Sequence, residues 1–123
     1  MVENFKNLKI KVSENNFVIV KSKKIYPDAF ANIKDDKEIT VIIEESKINK
    51  KDIINMENNW RIITFDTILP FDVVGFIAKV SNALAKENIS IFVISSYSTD
   101  HILVKNRDLD KAIKSLDKLG IKT

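Results

Sequence analysis

Few side chains in this sequence are equipped for chemistry. There is one histidine, His101, and no cysteine. Asp100 stands beside His101, which suggests a catalytic pair, but neighbours along a strand point to opposite faces. Without a thiol, a second imidazole or a glycine-rich phosphate loop, neither nucleophilic catalysis nor a metal centre has a recognisable set of groups. The sequence therefore reads as a non-enzyme, with no metal and no cofactor. Binding chemistry remains. Asp72 and Gly75 fall where a strand gives way to a helix, and the free N–H groups of a helix start suit a carboxylate. Gly75 is expected inside the first helical turn, where a missing Cβ admits a ligand or another backbone. Asp72 can accept from a ligand ammonium; equally, it serves as an N-cap while Gly75 relieves packing. Asp100, at the tip before a return strand, offers a carboxylate to a cationic group or else stabilises its own turn. Ser90 lines a cleft or faces solvent. Thr40 and Val41 supply a hydroxyl and edge-strand backbone groups, or are plain sheet residues.

These positions rest on elements that the periodicity separates into two halves. Leu8–Val12 alternates apolar and polar residues, as a half-buried strand does. Ser13–Asn16 is turn chemistry, and Phe17–Val20 is a short buried strand. Pro27 and Asp28 suit a bend or brief helix, and Ala29–Ile33 is a candidate strand. Lys34–Lys37 is a hairpin turn into the β-branched run Ile39–Ile43. Ser46–Asn59, rich in Lys and Asn, is assigned as a connector with a helical turn near Lys51–Ile54. The second half reads strand (Trp60–Phe65), helix (about Asp72–Glu87), strand (Ile89–Ser95), strand (His101–Val104) and helix (Leu109–Leu119). The first helix carries its apolar stripe at Val73, Phe76, Ile77, Val80, Ala83 and Leu84. Asn88 and Gly120 suit the two helix exits, and Asp108 suits the second helix start.

That order is a ferredoxin-like α+β unit, βαββαβ, lacking its last strand. An open edge beside buried strands is costly, so the opening residues or another subunit should supply the missing strand. The expected organisation is a strand-rich lobe over 1–58 and a second lobe over 59–123, sharing strands rather than folding separately.

Composition narrows the partners. Apolar residues are 45% of the 123 and charged residues 30%, with a net charge of +3. Of 20 cationic side chains only Arg61 and Arg107 are arginine, the residue best suited to forked phosphate recognition. Lys47–Lys51 reads as a solvated loop, so a nucleic-acid partner is not expected. No apolar run approaches the roughly 20 residues of a spanning helix, and Met1–Lys6 lacks the pattern of a secretory signal. A cytoplasmic protein without a membrane partner is the expectation.

Residues 60–120 resemble the ACT domain family, and in particular small two-lobe ACT proteins akin to aspartate kinase regulatory domains and to the amino-acid-sensing lobes of animal arginine sensors. The likeness is carried by Trp60, by Leu69–Ala78, by Ile89–Ser95 and by Tyr97–Lys105. Glu38–Ile42 is similar to the strand that closes the first lobe in such proteins. Asn32–Asp36 stands where that lobe usually carries a threonine-rich segment. The resemblance implies a regulatory homodimer binding a small molecule, an amino acid, between a strand-to-helix loop of one lobe and a strand of a facing lobe. On this sequence the implied ligand-binding residues are Asp72, Val73, Val74 and Gly75 in the loop, Ser90, Ile91 and Asp100 beyond it, and Thr40 and Val41 from the first lobe. A module that has kept the fold for protein–protein contact without a ligand is the alternative.

Overall fold

A computed structural model describes residues 8–66 and 75–123. The chain divides into two compact units, one of residues 14–60 and one that joins residues 1–13 to 61–123. The opening strand thus groups with the C-terminal residues, whereas the sequence suggested a single lobe over 1–58.

In the unit of residues 14–60 the strands β2 (Phe17–Ser22), β3 (Ala31–Lys34) and β4 (Ile39–Glu44) are joined by the N-terminal part of β5 (Ile53–Phe65). They run in the order β3-β4-β2-β5. Val18 pairs with Ile43 and Val20 with Val41. Opposed residues of an antiparallel pair share a face, and these four with Tyr26 form the core of this unit. The Asp35 carboxylate accepts from the Lys37 and Glu38 N–H groups, which fixes the β3–β4 hairpin. Buried Asp52 accepts a short hydrogen bond from the Tyr26 hydroxyl. Burial, then that bond, raises the Tyr26 pKa above its ordinary value. Asn32 holds the backbone N–H and C=O of Tyr26 with its side-chain amide.

Residues 46–59 differ from expectation. Two single 3-10 turns, Glu45–Lys47 and Lys50–Asp52, are followed at once by β5, so the supposed connector is strand from Ile53 onward. Its pairing with β2 slips between Phe17↔Trp60 and Ile19↔Glu57, leaving one extra residue on β5. Asn59 takes a left-handed φ of 65° there, a conformation that asparagine tolerates better than most residues.

In the other unit the C-terminal part of β5 neighbours β7 (Asp100–Lys105), which pairs with β6 (Ile91–Ser95). The strand absent from the C-terminal sequence comes from the start of the chain. β1 (Ile10–Val12) lies antiparallel to β5, with Ile10 opposite Phe65 and Val12 opposite Ile63. Lys122 then bridges Lys9 in parallel. The helices α1 (Phe76–Lys86) and α2 (Leu109–Lys118) cover one face, and Phe65, Phe76, Val80, Leu84, Ile102, Val104, Ala112 and Leu116 fill the core beneath them. This is the mixed α/β ferredoxin-like arrangement that the sequence order implied.

Both helices end alike. The N–H of Ile89 reaches the Leu84 carbonyl while that of Asn88 reaches Ala85, and Ile121 and Gly120 do the same to Leu116 and Asp117. Asn88 and Gly120 are left-handed, at φ 60° and 91°. Each is a Schellman cap, with the flanking Ile89 or Ile121 buried in the core. Asp108 occupies the N-cap position of α2, but its side chain makes no capping bond.

Candidate functional site

The end of β5 organises the surface that the sequence singled out. Phe65, its last residue, meets Phe76 edge to face with ring centres 5.0 Å apart. That contact seats the first residue of α1 over the end of the strand and contributes about 1 kcal/mol beyond burial. One residue earlier, Thr64 Oγ1 lies 2.9 Å from His101 Nδ1. The start of β7 is therefore at this same end, and Asp100 comes with it. Ser95, the last residue of β6, donates to Asp100 Oδ1 at 2.6 Å. The α1 start, Thr64, Ser95, Asp100 and His101 all belong to one end of one sheet.

Gly75 differs from its expected role. It precedes α1 as the N-cap residue instead of lying within the first turn, and its φ of 85° is left-handed. Among the described residues nothing comes within 4 Å of where its Cβ would be. Backbone conformation, not crowding, therefore explains the glycine. Gly75 itself is exposed, and the first residue of α1, Phe76, is buried. Asp72, Val73 and Val74 lie outside the described residues.

The other expected residues lie elsewhere. Ser90 and Ile91 are at the start of β6, where Ile91 pairs with Val104. Four residues of strand, about 13 Å at 3.3 Å per residue, separate Ile91 from the Ser95–Asp100 end. Ser90 is exposed, and Ile91 packs on the core. Val41 is fully buried in the core of residues 14–60. Its strand is interior, paired with both β2 and β3. The sheet uses the backbone groups expected of an edge strand, so Val41 offers neither side chain nor edge. Thr40 is half-buried on the opposite face of β4.

Electrostatics at the β5 end centre on His101. Burial holds its imidazole below the ordinary histidine range, and the Asp100 charge opposes this. Residue-type reasoning placed His101 simply as a strand residue; its bond to Thr64 was not foreseeable, since the two are far apart in sequence. Among the described residues there is no group of three or more His, Cys, Asp or Glu that could hold a metal ion. No described helix is long and apolar enough to cross a membrane.

The strand order, the two helices on one face and the helix start over the central strand agree with the sequence likeness. The sequence profile of the ACT domain matches residues 55–118, just over half of the chain. The chain belongs to the ACT domain family. No curated protein sequence matches it. Among solved structures, a structural-genomics protein from Agrobacterium tumefaciens is 24% identical with a TM-score of 0.80, over 94% of this chain and 90% of that one. A Vibrio cholerae protein of unknown function, described as a possible transport protein, is 20% identical with a TM-score of 0.75, over 94% and 91%. The ligand-free regulatory subunit of aspartate kinase from Thermus thermophilus is 8% identical with a TM-score of 0.67, over 89% and 95%. At these identities the likeness is one of fold.

Proposed function

We propose that this protein is a non-catalytic regulatory ACT module that binds a free amino acid at the loop between β5 and α1, working as a homodimer. The observation that carries the reading is the exposed, left-handed Gly75 opening an eleven-residue helix directly over the end of β5. First-turn N–H groups and the helix dipole favour a carboxylate at such a place. Asp100, drawn to the same end of the sheet by the Thr64–His101 contact, offers the opposite charge for an ammonium or a cationic side chain. Asp72, Val73 and Val74 complete the ligand loop in this reading. Ligand binding would act by favouring one of two states, to the extent that it binds them differently.

The experiment is a thermal-shift screen of the full chain against the free amino acids. A ligand at a hundred times its dissociation constant adds about 2.7 kcal/mol, a rise in Tm on the order of 10 °C for a chain of this size. Gly75→Ala and Gly75→Trp share the backbone strain of a side chain at positive φ, but only the indole fills the space before α1. The shift should survive in the alanine variant and vanish in the tryptophan variant. A shift retained by Gly75→Trp would move the site elsewhere. No shift with any amino acid, in a protein that still dimerises or captures a partner, would favour the interaction-module alternative.

A further inference from the structure

We propose that the groove along the outer flank of α2 is a second binding site, which takes a small organic anion with an apolar body, such as a medium-chain carboxylate. The groove is open to solvent on one side, offers about 360 Å³ between α2 and the chain after it, and is lined by Ile113, Lys114, Asp117, Lys118, Ile121 and Thr123. That volume falls in the range of small-molecule sites. None of these residues belongs to the β5–α1 loop or to the Asp100 end of the sheet.

The lining has a definite chemistry. The apolar floor is half-buried Ile113, backed from the core by Ile121, which is only 1% exposed. Lys114 and Lys118 are four residues apart on α2, so they stand one above the other with Cβ atoms about 5–6 Å apart. Two ammonium groups on stems of that spacing can close on one carboxylate. Neither lysine makes an ion pair or a side-chain hydrogen bond among the described residues. Asp117, the one carboxylate side chain in the lining, is already engaged, with Lys122 Nζ at 2.6 Å from its Oδ1. Of the last carbonyls of α2, which would repel an anion, those of Leu116 and Asp117 are capped by the Ile121 and Gly120 N–H groups. The groove therefore presents two lysine ammonium groups without a side-chain partner beside an apolar floor.

Both features are needed to select the ligand. Exposed lysines alone hold a bare anion weakly, because water screens the pair. An apolar body on the floor adds the gain of removing surface from water. A carboxylate with a short aliphatic tail meets both; an alcohol of the same length or acetate meets one each.

Methyl-detected NMR titration of the full chain tests this with hexanoate, acetate and hexan-1-ol at matched ionic strength. Hexanoate should shift the Ile113 and Ile121 methyls saturably, and acetate and hexanol should bind at least several-fold more weakly. Lys114→Gln with Lys118→Gln, both helix-compatible changes on an exposed face, should weaken hexanoate about tenfold. Unshifted methyls, equal affinity in the double variant, or acetate as effective as hexanoate would each overturn the proposal. Gly75→Trp should leave the titration unchanged, which separates this site from the amino-acid site.

Discussion

His101 carries a pH dependence whose sign follows from its surroundings. Its imidazole is half-buried against Thr64, and burial lowers its pKa from the ordinary 6.5, with Asp100 pulling the other way. Well above pH 6.5 the ring is neutral in both folded and unfolded chains. As the pH falls below 6.5 the unfolded chain takes up a proton that the folded chain accepts only at lower pH, so stability is lost on acidification through the folded pKa. Urea midpoints measured at pH 7.5 and 5.5 should fall more for the native chain than for His101→Gln, which cannot titrate. Equal falls would mean that the loss comes from other groups. Gly75 shows what one residue reveals in sequence. Its importance was legible, because a lone glycine at a strand-to-helix junction needs a reason. The reason was not, because a positive φ and a tight approach ask for the same residue type.

At the scale of elements the two helix exits make the sharper statement. Asn88 and Gly120 were readable as terminators from type and position, and the structure gives both the same pair of capping bonds. Gly120→Ala should cost about 1 kcal/mol, since alanine resists φ 91°. The change should show in chemical denaturation as a lower midpoint with unchanged slope; an unaltered midpoint would mean that the cap relaxes freely. The strand β5 marks where sequence reasoning fell short. Ile53–Asn59 carries four residues of Asn or Glu, at 55 and 57–59, and residues 54–59 are exposed. An exposed strand segment carrying a bulge has the composition of a loop, and propensity cannot separate the two when backbone pairing alone decides. The start of β6 misled differently. Residues 89–105 form the expected hairpin, and a hairpin by itself puts Ser90 and Ile91 at the open end, away from Asp100 at the turn, as the pairing of Ile91 with Val104 bears out.

At the scale of the whole chain, residues 14–60 fill the place of a turn. Ser13 and Arg61, the last and first residues of the unit on either side, are tied together. Ser13 donates its N–H to the Ile62 carbonyl, its Oγ accepts from the Ile62 N–H, and its carbonyl accepts from the Arg61 guanidinium, which also holds Asn106. β1 and β5 are thus the two arms of an antiparallel hairpin. Replacing Glu14–Trp60 by a short Asn-Gly turn should leave a protein with a cooperative unfolding transition and the β1–β5 ladder intact by NMR. A molten product would mean that the removed residues are required for the fold of the rest. Residues 14–60 present their own ends side by side, Phe17 pairing with Trp60. A guest whose termini already meet adds little to the host's closure entropy. Unravelled, the same stretch becomes a long floppy tether between Ser13 and Arg61, and closing it costs the host about 2–3 kcal/mol more than a tight turn would. Melting the guest alone therefore loosens the host's first strand. Through closure entropy alone, a disturbance confined to residues 14–60 should weaken the β1–β5 ladder, with no side chain needed to carry it.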